Sequence, residues 1–234
     1  MPGLTHNLYE EGREIAVDSP IGVTVVEPAD LAANQGAALP FKNLILVVDR
    51  KNHTLLVFAE FGAFGLHLAA RIGTGTEGGA DGALNAATFS FPRGVSFEPI
   101  SGDIIVADGI DRLRRLRIDS FPAMFGGAFE SRVTTIRDGT LGPDDGAARG
   151  FDGNPASPNY ALLNRPRQMI PLPGSNEQHF LIADGLEGRL RLWENPPQRC
   201  LPALPGLHSV VGFPEGPADT FDDSDGKIAR LTSF

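Results

Sequence analysis

The sequence predicts an all-β protein, a partial β-propeller of about three four-stranded antiparallel blades. Three observations lead there. Apolar residues come in short runs rich in Val, Ile, Leu and Phe, and amphipathic helical periodicity is nowhere sustained. The 28 glycines and 19 prolines are spread through all 234 residues, which is punctuation for many turns. Finally, the chain repeats itself: a Pro-led apolar stretch, an apolar run ending in Asp, and a further apolar run after a short polar turn recur three times. Units of this kind cannot bury both faces alone, so they stack on copies of themselves as propeller blades do.

The elements follow in order. Residues 1–19 contain "NLYEEGREIAV", expected as an outer strand of a preceding blade. Blade 1 spans 20–82, with "SPIGVTVVEP" around Pro20, "LILVVD" ending at Asp49, "HTLLVF", and a last run before "GTGTEGGADG". Blade 2 spans 83–153, with "FPRGVSFEP" at Pro92, "DIIVAD" ending at Asp108, "RLRRLRI", and a run before "DGTLGPDDGAARGFDG". Blade 3 spans 154–226, with "RPRQMIPLP" at Pro166, "FLIAD" ending at Asp184, "RLRLW", and a run before "GFPEGPADTFDDSDG". Residues 227–234 begin a further repeat. A propeller closes with four blades or more. Three would expose a sheet face at each end, so the expectation is either a fragment of a longer product or two chains that complete the ring together.

Composition narrows the function. A net charge of −9 argues against a nucleic-acid binder that relies on overall charge. The single cysteine, Cys200, allows no internal disulfide and no thiolate cluster. The first residues hold acids and no apolar core segment, unlike a signal peptide. No run approaches the ~18 apolar residues of a membrane span. A cytoplasmic protein without a membrane segment is expected. Gly73, Gly75 and Gly78 spell Gly-x-Gly-x-x-Gly, but a dinucleotide fingerprint must open a helix. Here more glycines and a Phe-Pro strand start follow, and related Asp-Gly stretches recur with the period. The stretch reads as a turn.

The segment "GTGTEGGADGALNAATFSFPRGVSFEPISGDIIVADGIDRLRRLRI" resembles the NHL-repeat family. The likeness lies in Gly-x-Gly, Asp-Gly, Ala-x-Phe, Pro-x-Gly-Val, aliphatic-Ala-Asp and an arginine-rich strand. The third copy departs from it, with Gln168-Met169 in place of Gly-Val. The resemblance implies a propeller, usually six-bladed, that offers docking surfaces to proteins or RNA. It also implies kinship with propeller lactonases and lyases.

Three sets of residues are candidates. Asp49, Asp108 and Asp184 sit at strand ends, where a carboxylate accepts backbone N–H groups and holds a turn. Arg112, Arg114, Arg115 and Arg117, with Arg189 and Arg191 at matching places, form either a salt-bridged structural band or a surface for RNA or another anion. Phe121, Phe125 and Phe129 lie in a long connection and either fold back onto the blade edge or make an exposed docking patch. The histidines show no metal-ligand spacing, and the acidic cluster before Gly226 fails as a calcium loop, with Phe221 and Thr232 at ligand positions. No cofactor and no metal site are therefore expected. The leading expectation is a non-catalytic binding or scaffold propeller with a protein partner or a second copy. The alternatives are a lactonase- or lyase-like enzyme using calcium or zinc, and RNA binding through the arginine strand.

Overall fold

The computed structural model describes residues 9–10, 13–27, 41–62, 65–99, 101–109, 112–120, 129–138, 163, 165–172, 178–184, 189–195 and 206–211. Their architecture is all-β. Strands β1 (Tyr9–Glu10) and β2 (Arg13–Glu14) pair with each other. A first four-stranded sheet follows: β3 (Pro20–Val26), β4 (Asn43–Asp49), β5 (Thr54–Glu60) and β6 (Leu66–Ile72), hydrogen-bonded in sequence order. After β7 (Gly82–Ala83), the second sheet is β8 (Val95–Glu98), β9 (Asp103–Asp108), β10 (Arg112–Ser120) and β11 (Glu130–Asp138). The third is β12 (Pro166–Pro171), β13 (Gln178–Asp184), β14 (Arg189–Asn195) and β15 (Gly206–Val211). All three are antiparallel meanders, and their strands begin and end at the punctuation of the repeat. Two elements differ from expectation. The segment expected as an outer strand of a preceding blade forms β1 and β2, which pair with each other in a sheet of their own. Gly82 and Ala83, read as part of a turn, pair with Val133 and Arg132 and add a fifth strand outside β11.

Proline shapes the start of sheets 1 and 3. Pro20 and Pro166 have no amide hydrogen for the ladder, and a register slip follows each, between Pro20 and Gly22 and between Pro166 and Gln168. The rest of each inner strand pairs regularly with its Asp-ended neighbour.

The burial pattern orders the blades. Every residue of β8 and β9 is buried, so the inner half of sheet 2 is covered on both faces. One face meets sheet 1: Val95, Phe97, Ile104 and Val106 share a core with Leu44, Leu46 and Val48. The other meets sheet 3, where Ile105, Ala107 and Leu113 cluster with Met169, Phe180 and Ile182. Each fully buried aliphatic or aromatic side chain in these two layers contributes about 1.5–3 kcal/mol. Sheets 1 and 3 flank sheet 2, and each turns its other face away from it. No helix among the described residues is long and apolar enough to cross a membrane.

Candidate functional site

The three strand-ending aspartates are buried. Asp49 Oδ1 accepts the backbone N–H of Asp18 at 2.8 Å, and its Oδ2 accepts Asn52 Nδ2 at 2.8 Å. Asp108 repeats the arrangement, with Oδ1 accepting the Ser90 N–H at 2.6 Å and Oδ2 receiving Arg114 Nη1 at 2.9 Å. In both blades the amide donor lies two residues before the blade's first proline. The intervening residue is left-handed, with φ of 61° at Ser19 and 50° at Phe91, and Arg165 before Pro166 repeats it at 58°. Such backbone costs an L-residue about 1–2 kcal/mol, which the carboxylate–amide bond offsets. Burial pushes the Asp108 carboxyl above its ordinary value, against the pull of the Ser90 amide, Arg114 and Arg112. Asp184 Oδ2 lies 3.9 Å from Arg191 Nη1, both side chains being buried.

The arginine strand is engaged within its own sheet. Arg114 is fully buried, and Nη1 donates to the Thr88 carbonyl at 3.0 Å as well as to Asp108. Its Nη2 donates to the Ala80 carbonyl at 2.8 Å and to Asp81 Oδ1 at 3.0 Å, and Phe89 lies under the guanidinium. This one side chain therefore ties the glycine-rich stretch to sheet 2. Arg112 Nη1 donates to the Gly78 carbonyl at 3.1 Å. Arg117 grips Asp103 with Nε at 2.8 Å and Nη2 at 3.0 Å, and Arg115 Nε lies 3.3 Å from the same carboxylate. Phe129 is buried in the core shared by sheets 1 and 2. Phe121, Phe125 and the side chain of Arg189 lie outside the described residues.

A different group of charged residues converges at the Asp-bearing end of the sheets. There a cleft of about 320 Å³ is lined by Arg50, Arg93, Arg165, Glu77, Ser90 and Phe91. One arginine comes from each blade. Arg50 follows Asp49, Arg93 stands between Pro92 and Gly94, and Arg165 precedes Pro166. The Arg50 guanidinium carbon lies 5.4 Å from the centre of the Phe91 ring. The His53 ring meets the same phenyl edge-on at 4.5 Å, and its Nδ1 accepts the Phe91 N–H at 3.1 Å. The Nε atoms of Arg50 and Arg93 are buried and make no hydrogen bond among the described residues. Burial, and then the fields of Arg50, Arg165 and Arg167, hold Arg93 below the usual guanidinium value. Glu77 is the carboxylate of the cleft, and Ser90 Oγ donates to it at 2.9 Å. Among the described residues, no group of three His, Cys, Asp or Glu is placed to hold a metal ion.

Sequence reasoning missed this group. The signal was present in "VDRKN", "FPRG" and "NRPR", where arginines flank the repeat's own Asp and Pro markers. Scanning for runs of basic residues finds "RLRRLR" instead.

The blades join through their inner strands, and glycine sets the distance. Gly22 faces the Arg93 carbonyl and Gly94 faces the Arg167 carbonyl, each so closely that a Cβ would overlap the oxygen. The third residue of this series is Gln168, which is exposed. The outer face of sheet 1 is open in a related way. Ile21, Val23 and Val25 are 49%, 60% and 54% exposed, although Val95 and Phe97, the counterparts of Val23 and Val25 in sheet 2, are buried. Ile45, Val47, Leu56 and Phe58 continue that apolar face, with Ile15 against it. On the far side of sheet 3, Ile170 and Leu172 are exposed beside Gln168.

Three antiparallel meanders stacked through their inner strands define a propeller-like all-β protein. No family model and no curated protein sequence matches the chain. Among solved structures, an auxiliary nutrient binding protein from Bacteroides thetaiotaomicron is similar over 82% of this chain, with 14% identity and a TM-score of 0.43. The chain spans 38% of that protein's length.

Proposed function

We propose that this chain is a non-catalytic binding and scaffold propeller segment of the NHL-repeat kind, whose open first-blade face docks a sheet from a protein partner. The observation that carries the reading is the exposed row Ile21, Val23 and Val25. By register Val23 and Val25 are the positions that sheet 2 buries against sheet 1 as Val95 and Phe97, so the row is built for contact with another sheet. Covering the exposed half of each of these side chains contributes about 1 kcal/mol apiece. The partner sheet carries glycine at its joint position, because the chain at Ile21 approaches it as Arg93 approaches Gly22. A second copy of this chain would bring Gln168 to that joint, so the tight fit is denied to it.

RNA binding through Arg112, Arg114, Arg115 and Arg117 receives less support. Arg114 is buried, and Arg115 and Arg117 both face Asp103.

The test converts the chain into its own partner. Gln168→Gly removes the obstruction and should raise concentration-dependent association in sedimentation velocity above that of the wild type. Adding Val23→Lys should cancel the gain, since it places a charge on the receiving face. A Gln168→Gly protein that is folded and sediments like the wild type at every concentration would count against the docking face.

A further inference from the structure

We infer that the cleft between Arg50, Arg93 and Arg165 is a binding site for a small molecule carrying a phosphate monoester. Three guanidinium groups from three blades meet there with one carboxylate, Glu77. That leaves two positive charges, and a phosphate monoester carries between one and a half and two negative charges at neutral pH. The planar fork of arginine suits the oxygens of such a group, and several forks can share them.

The contrast with the other arginines of the sheet is the strongest support. Arg112, Arg114, Arg115 and Arg117 each lie within 4 Å of an aspartate, at Asp108 or Asp103. Among the described residues, Arg50, Arg93 and Arg165 form no ion pair. It is this lack of a carboxylate that sets them apart, since buried Nε atoms without a hydrogen bond occur both at Arg50 and Arg93 and at the ion-paired Arg114 and Arg115. A buried donor without an acceptor costs free energy, and like charges brought together add to it. Among the described residues, the fastening contact these three side chains make is that of Arg50 with the Phe91 ring. The joints of the fold are the glycine contacts, the aspartate–amide bonds at the strand ends and the two apolar layers. The three arginines thus hold a field that a dianion neutralises. Phe91, steadied by His53, supplies an apolar wall for the organic part of the ligand. The volume of about 320 Å³ admits a compact molecule and falls at the small end of ligand sites.

Titration calorimetry of the whole chain with phenyl phosphate tests this, with phthalate as the dicarboxylate comparison. Saturable binding is expected below about 10 mM, weakened about tenfold or more in Arg93→Gln and in Arg165→Gln. Without ligand, each variant should melt no lower than the wild type, because a repulsion has been removed. Arg50→Gln repeats the measurement from another blade should either variant unfold. No saturable binding, or equal binding by the folded variants, would overturn the site. Phthalate binding more tightly than phenyl phosphate would overturn the assignment to phosphate esters. The cleft lies apart from the open sheet faces, so failure here leaves the docking experiment unaffected.

Discussion

Replacing Asp108 by Asn tests how sheet 2 holds its glycine-rich stretch. The side chain keeps its volume but loses its charge, and one oxygen facing Ser90 or Arg114 becomes a donor. Burial already disfavours the Asp108 carboxylate, so the main consequence falls on Arg114. That guanidinium is fully buried and would keep only the half-exposed Asp81 as a counter-charge. Breaking one side of a buried ion pair costs about 3–5 kcal/mol. With a urea slope of about 2 kcal/mol per molar, the midpoint should fall by roughly 2 M. Arg114→Met should cost at least as much, because it also strips two carbonyl acceptors, Thr88 and Ala80, at about 0.5–1.5 kcal/mol each. The double variant removes both charges together. It should therefore recover about 1–3 kcal/mol relative to the sum of the single losses. Urea unfolding of the four proteins completes the cycle. Strict additivity would refute the claim that the two residues act as a unit, and a single loss under about 1 kcal/mol would refute the buried pair itself.

Two further outcomes follow from the same structure. Gly94→Ala places a methyl against the Arg167 carbonyl and, at 3.1 Å, against Gln168 Cα, both backbone. It should destabilise by about 1–3 kcal/mol or more, whereas Gly75→Ala meets only the Asn52 carbonyl at 3.6 Å and carries just the left-handed cost of about 1–2 kcal/mol at φ +80°; chemical denaturation compares them. For Asp81, burial raises the carboxyl, but the bonds from Thr135 and the charge of Arg114 bring it below its ordinary 3.8. Its stabilising effect is complete above that ordinary value and is lost as the pH falls through the lower, folded one. Asp81→Asn should flatten the acid limb of the stability curve there, and an unchanged limb would contradict the pairing.

The strands were legible because their signals are local. Runs such as "DIIVAD" and "TLLVFAE" end where Asp, Asn, Gly and Pro interrupt them, and the structure places β9 and β5 on them. The two-residue strand Gly82–Ala83 was not legible, since glycine has no strand preference and the pairing is imposed by Arg132 and Val133. The fate of the arginine strand was only half visible. Alternation along "RLRRLR" puts arginines on both faces, but the choice of Arg114 for the interior depends on Ala80, Asp81 and Thr88 in a distant stretch. The cleft was harder still. Positions 50, 93 and 165 are far apart in the chain, and they meet because the blades stack through glycine contacts and apolar layers, with left-handed turns before Pro92 and Pro166 beside the cleft.

Gln168 gives the module a direction. A contact between unlike surfaces that never closes on itself runs on, copy after copy, into a fibre. With glycine at 168, both ends of this stack would match, and copies would add until a ring closed or, where the rotation does not close, without a stopping point. On the docking reading proposed above, one amide side chain makes the two outer faces dissimilar, a receptive one at Val23 and a reluctant one at Ile170, and would disfavour the stacking of one copy on another.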